Sequence, residues 1–335
     1  MTRRTTVIAL SVFLVVGIAL FAYTQLKKSE TPSEQKQFVI GVLNTGLTLT
    51  PIFEGLKEGL QARGYTEGAA VEYLLEDNLI SANLAKAAAE QFIAQKVDLI
   101  IALGIVPAKA AQIATEELAP TLPVFIVSSD PVGNNLVLSI NEPGGNITGV
   151  TPGNETISGR RVELIKQLVP SAQRIIYPYN NSKTAGLEEI KSTAESLHLE
   201  VVAFEIKTPD ELEIVLSDFT FRNGDVLMRA TDSVLAAAAP IIAKMAKANR
   251  VPLIGNSAGD ATRGSVMAYG ADYHDLGLQG ARLVEKILRG GNPGKIPIEL
   301  PEHFVIAVNL GSAKELGITI PDAFLHRANI IIPAK

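Results

Sequence analysis

Asp98-Leu99-Ile100-Ile101-Ala102-Leu103 is a run of five apolar residues behind one aspartate. A run of this kind marks a strand covered on both faces, as in a parallel sheet with helices above and below it. An Ala-rich helical stretch follows it to about Glu117, and further apolar runs lie at Phe38–Asn44, Val71–Glu76, 123–127 and 146–150. Between them Ile52, Leu56 and Leu60 recur at helical spacing behind Pro51, a residue suited to a helix start, and Ser81 is a natural N-cap for a helix over 81–95. Strands alternating with helices predict parallel, right-handed βαβ units.

The same rhythm restarts at Arg174–Tyr179. A helix is expected over 184–197, with Leu187, Ile190, Ala194 and Leu197 on one face. Further strands are expected at 200–206, Asp225–Met228, 251–254 and 265–269, with a short helix near 209–218 and one long helix across 233–249. Two such runs predict an α/β protein of two doubly wound parallel-sheet lobes. Ligands of such sheets gather at the carboxyl ends of the strands, where helix N-termini offer free N–H groups.

The composition suits this architecture. Hydrophobic residues make up 47% of the 335 and aromatics only 5%, with no tryptophan, so aliphatic side chains fill the cores. A net charge of −5 without any Lys/Arg cluster argues against a nucleic-acid partner. The absence of cysteine excludes disulfides, thiolate catalysis, Cys-based metal sites and a lipid-modified cysteine anchor. At the N-terminus Arg3 and Arg4 precede an apolar run over 7–23, which Lys27 and Lys28 follow. That is an export signal within residues 1–24, either removed or, as the lack of a clean A-x-A site favours, kept as a membrane anchor. Residues 25–37 are polar and read as a flexible tether. The chain is expected outside the cytoplasm.

No catalytic signal is strong. Gly255-Asn256-Ser257-Ala258-Gly259 matches the nucleophile-elbow pattern, but that elbow needs a helix directly after the serine, and the sequence leaves little room before the next strand. Gly144-Gly145-Asn146-Ile147-Thr148-Gly149 leads into a strand rather than a helix and reads as a turn, not a dinucleotide loop. His198, His274, His303 and His326 are scattered without metal-ligand spacing. No enzyme activity, cofactor or metal is expected.

A resemblance rests on motifs in a fixed order: Asp130-Pro131-Val132; Pro143 through Gly149; Tyr179-Asn180 with Ser182; and Thr231-Asp232-Ser233. It continues through Arg263-Gly264, Tyr269-Gly270, Asp272-Tyr273 and Leu276-Gly277 to Asn309-Leu310 and Ile320-Pro321. From about Phe38 to Ala334 the chain resembles the ABC-transporter substrate-binding proteins that include tryptophan- and tyrosine-binding members. The resemblance implies a type I periplasmic-binding-protein fold with a three-segment hinge, with crossings near Val150, Asp272 and Leu300. Lobe 1 would hold 38–150 plus 272–300, and lobe 2 would hold 151–271 plus 301–335. It also implies a small-molecule ligand, such as an amino acid, in the interlobe cleft, and an ABC permease as partner. A membrane-tethered sensory module presenting ligand to a receptor is the alternative.

An amino-acid-like ligand needs a partner for its carboxylate and one for its ammonium. Asp232, between a strand and a helix, is the candidate ammonium partner; its bland role is to N-cap the helix. Asp130 matches a family position but precedes proline, so it could simply fix a turn. Tyr179 and Tyr273 could wall the pocket or brace the hinge. Thr50, Ser128, Ser182, Thr184, Thr231, Ser233 and Asn256 are candidate polar contacts. Three positions depart from the family pattern: Ile105, Ala185 and Arg229. Arg229 brings a charge where relatives tend to be apolar, and it could neutralise Asp232 or recognise an anionic group on the ligand.

Overall fold

In β1 (Phe38–Asn44) the side chains alternate between two helical layers. Ile40 and Val42 join one core cluster and Leu43 another, while a Cβ on Gly41 would collide with the Phe92 ring. The computed structural model describes residues 37–154, 157–180 and 186–334. The apolar run 7–23, Ser182 and Thr184 lie outside them. Among the described residues no helix is long and apolar enough to cross a membrane.

The first sheet also contains β2 (Val71–Glu76), β3 (Leu99–Leu103), β4 (Val124–Val127) and β5 (Ile147–Val150). Its order is β2-β1-β3-β4-β5, parallel throughout. Helices α1 (Thr50–Gln61), α2 (Ala82–Ala94) and α3 (Ile105–Leu118) cover it. All five residues of β3 are fully buried, because each face of that strand meets a helical layer.

After β5 the chain enters a second sheet. There α4 (Ser158–Leu168), β6 (Arg174–Tyr179), α5 (Leu187–Ser196), β7 (Glu200–Glu205), α6 (Pro209–Asp218) and β8 (Asp225–Met228) follow. The expected single helix over 233–249 is instead two, α7 (Ser233–Ala237) and α8 (Ala239–Ala248). Pro240 explains the break: it has no N–H to continue the ladder and starts a new helix well. Then come β9 (Leu253–Gly255), α9 (Ala258–Thr262) and β10 (Met267–Gly270). The short α9 corrects the reading that no helix follows Ser257: a capping box between Ser257 and Asp260 starts one within five residues.

From β10 the chain returns to the first sheet as α10 (Tyr273–Leu288), which packs along α1. The two helices approach so closely that a Cβ at Gly55 would collide with the His274 carbonyl, and one at Gly277 with the Ile52 carbonyl. Glu299 then bridges Val150 of β5 before the chain crosses a third time. It ends in β11 (Val305–Asn309), α11 (Leu310–Leu316), α12 (Asp322–Leu325) and β12 (Ile330–Ile332).

The second sheet has the order β12-β11-β10-β9-β8-β6-β7. Its β11, at a stretch the sequence reading did not assign to a strand, runs antiparallel to β10, while the other paired strands of the sheet are parallel. The cause is topological: β10 ends at the crossings and β11 begins there, so the two run in opposite directions.

Candidate ligand-binding cleft

In both sheets the strand order reverses beside one central strand, between β1 and β3 in the first and between β6 and β8 in the second. Loops diverge at such switch points and leave a crevice beyond the strand carboxyl ends. A cavity holding about 480 Å³ of space, part of it open to solvent, lies there. The first sheet lines it with Thr45, Thr48 and Leu49 after β1, Gly104 and Ile105 after β3, and Ser128 and Ser129 after β4. The second sheet contributes Arg229, Thr231 and Asp232 after β8, and Ala236 of α7. Pro152 and Tyr273 close it at the crossings.

Local sequence explains this placement. Gly104 adopts φ +109, a left-handed conformation that a side chain would strain, and a Cβ there would strike the Thr45 hydroxyl. That hydroxyl donates to the Leu103 carbonyl at 2.8 Å, so β1, β3 and the start of α3 meet at one point. Across the cleft, the Thr48 hydroxyl donates to the Ala236 carbonyl at 3.2 Å.

Asp232 is only 7% exposed. Its carboxylate accepts the Leu235 N–H at 2.8 Å and the Asn180 N–H at 3.0 Å, so it caps α7 and ties it to the end of β6. Burial raises its pKa, and those backbone donors only partly offset the effect. Among the described residues no cation lies within ion-pair distance of it. Arg229 does not pair with Asp232: its guanidinium reaches both oxygens of Asp260 at 3.4 Å and donates to the Ala230 carbonyl at 3.2 Å.

Asp260 also accepts from Arg263 at 2.7 Å and from the N–H groups of Asn256 and Ser257. Burial alone would raise its pKa, but the two guanidiniums outweigh that and hold it down at about 2. Below them lies Arg161, 2% exposed, whose Nε donates to the Tyr269 carbonyl at 2.7 Å. It also donates to the Asn154 side chain and to the Asn256 carbonyl. Burial pulls this guanidinium down to about 10, and neighbouring Arg229 adds to the effect.

Of the sequence candidates, Asp232, Thr231, Ser128, Arg229 and Tyr273 line the cavity. Ser233 opens α7 beside it. Asn256 is buried behind it and donates to the Arg229 and Ala230 carbonyls. Thr50 sits in the first turn of α1, accepting from Asn44 at 3.4 Å, and is not a lining residue. Asp130 fixes a turn: it takes φ +44 and accepts the Gly133 N–H at 2.8 Å. Tyr179 packs against the core of the second sheet. The sequence reading passed over Thr45, Thr48 and Ser129, although the rule of strand carboxyl ends points at their loops. It also passed over Arg161, whose spacing with Ile165 and Leu168 places it on the buried face of α4.

Two α/β units facing each other across a cleft that mixes apolar walls with charged and hydroxyl groups, joined by three crossings, define a two-lobed solute-binding protein. The family profile described as ABC transporter substrate binding protein matches residues 40–332, and the chain belongs to that family. Its members bind solutes rather than transform them. The chain is 28% identical over 299 residues to a tyrosine-binding protein from Clostridioides difficile (strain R20291), covering 88% of this chain and 84% of that one. The structure of an ABC domain from Streptococcus pneumonia in complex with L-Trp superposes with a TM-score of 0.78 at 26% identity, over 89% of this chain and all of that one. A ligand-free, open substrate-binding protein with adhesive properties from Clostridium difficile, also 26% identical over 89% of this chain and all of that one, gives 0.64.

Proposed function

We propose that this chain is an extracytoplasmic binding protein that captures an amino acid and delivers it to an ABC permease. The observation that carries this reading is Asp232, a buried carboxylate that lines the cleft and meets no cation among the described residues. Burying a charge without a counter-ion is costly, and a ligand ammonium would supply one. The tyrosine and L-Trp named for the two relatives support an amino acid as the ligand class. The crossings after Val150, around Asp272 and near Leu300 act as the hinge, and residues 7–23 direct export or anchor the chain.

A thermal-shift screen of the full-length chain against the twenty amino acids tests this, because a ligand bound only by the native state raises its melting temperature. At least one amino acid should raise it at millimolar concentration. No shift from any of them overturns the reading.

A further inference from the structure

The floor of the cleft holds more buried positive charge than its carboxylate neutralises. The buried guanidiniums of Arg229 and Arg161 and the exposed one of Arg263 surround Asp260, which pairs with Arg229 and Arg263 only. Its short contact is to Arg263 at 2.7 Å, while Arg229 stands back at 3.4 Å. Among the described residues Arg161 meets neutral acceptors only, the Tyr269 and Asn256 carbonyls and the Asn154 side chain. Arg229 is the member of this group that is both 6% exposed and part of the cavity wall.

On the opposite wall the 14-residue helix α3 begins at Ile105, where first-turn N–H groups have no acceptor within the helix. Ser128 and Ser129 add hydroxyls on the same side. An anion placed between Arg229 and the start of α3 would touch both lobes.

We propose that Arg229 is the specificity-determining residue that holds the carboxylate of the ligand beside its ammonium on Asp232. This rests on the amino-acid reading above and deepens it. Arg229 and Asp232 stand three residues apart after β8 and line the same cavity, one with guanidinium donors to spare and the other with unshared carboxylate lone pairs. The α-carboxylate and α-ammonium of an amino acid are likewise neighbours on one carbon. A single strand end therefore presents a complementary pair of charges, and α3 meets the carboxylate from the other lobe on closure. A ligand with an ammonium but no carboxylate leaves Arg229 half-neutralised.

The test is calorimetry on the full-length chain with the amino acid that gives the largest thermal shift, its α-amide and its decarboxylated amine. The wild-type chain should prefer the acid to the amide on the order of 100-fold, the scale of a lost buried charge pair. Arg229→Gln should bring that ratio close to one by weakening the acid while leaving the amide nearly unchanged, and Arg229→Lys should restore part of it.

Equal wild-type affinity for acid and amide overturns the assignment without any variant. An Arg229→Gln chain that loses acid and amide in equal measure also overturns it, because that pattern marks a purely structural partner of Asp260. Either result leaves the amino-acid reading standing, whereas a chain that binds no amino acid overturns both.

Discussion

The Thr48 hydroxyl and the Ala236 carbonyl, 188 residues apart in sequence, meet at 3.2 Å across the cleft. This hydrogen bond joins the loop after β1 to α7, and so joins the two sheets directly across the cleft. It favours the closed arrangement by the modest amount of a neutral hydrogen bond, about 1 kcal/mol.

Thr48→Val removes the donor while keeping the shape of the side chain. Ligand affinity should fall roughly two- to tenfold, the range of a net hydrogen-bond contribution. The ligand-free chain should show a larger radius of gyration by small-angle scattering. An unchanged radius and affinity would mean that this contact does not hold the lobes together.

Asp232→Asn separates the capping role from the charge. Asparagine caps helices about as well as aspartate but offers one acceptor instead of two for the N–H groups of Leu235 and Asn180. Native-state stability should therefore drop by about 1 kcal/mol, measured by urea denaturation. Amino-acid affinity should drop by about 2–5 kcal/mol, the cost of removing one partner from a buried charge pair. Equal losses in the two measurements would leave Asp232 as a cap alone.

Two carboxylates of the cleft are shifted in opposite directions. Burial raises Asp232, so an ammonium ligand should bind more weakly as acidification protonates this group. Calorimetry at successively lower pH, starting from neutral, should show the decline in the wild type and not in Asp232→Asn. Asp260 is held down at about 2 from an ordinary 3.8. A depressed folded-state value adds stability above the unfolded value and loses it as pH falls toward the folded one. Asp260 should thus contribute about 2 kcal/mol above pH 4 that disappears by about pH 2. Acid titration of Asp260→Asn should lack that component.

Gly55→Ala and Gly277→Ala probe the meeting of α1 and α10. Alanine favours an isolated helix by about 1 kcal/mol over glycine. Here each new methyl collides with a backbone carbonyl of the facing helix, which cannot rotate aside. The expected outcome is a net loss of about 1–3 kcal/mol and a lower melting temperature. Stabilisation would show that the two helices separate freely.

Most of the fold was legible because fully buried strands such as β3 and amphipathic helices carry periodic signals. The break at Ala238 was not, because Ala236, Ala237 and Ala239 suit one helix as well as two and only Pro240 interrupts them. The edge strand β12 has just three residues, too few for periodicity to register, and β11 pairs with β10 in a sense that depends on where the chain re-enters the sheet. At the site, Asp232 stood out because an acid after a buried strand is conspicuous. Thr45 and Thr48 did not, since loop threonines are common and their value arises from a glycine at 104 and a carbonyl at 236. The association of Arg229 with Asp260 spans 31 residues and two loops, a distance over which sequence pattern carries no signal.

The return of α10 to the first sheet bears on biosynthesis. Leu276, Ala281, Leu283 and Val284 complete the core around Ile40, Leu99 and Ile101, but they are translated after the whole β6–β10 stretch of the other sheet. The first lobe therefore cannot finish folding while the ribosome is still making residue 270, and no nascent fragment shorter than 298 residues contains its full core.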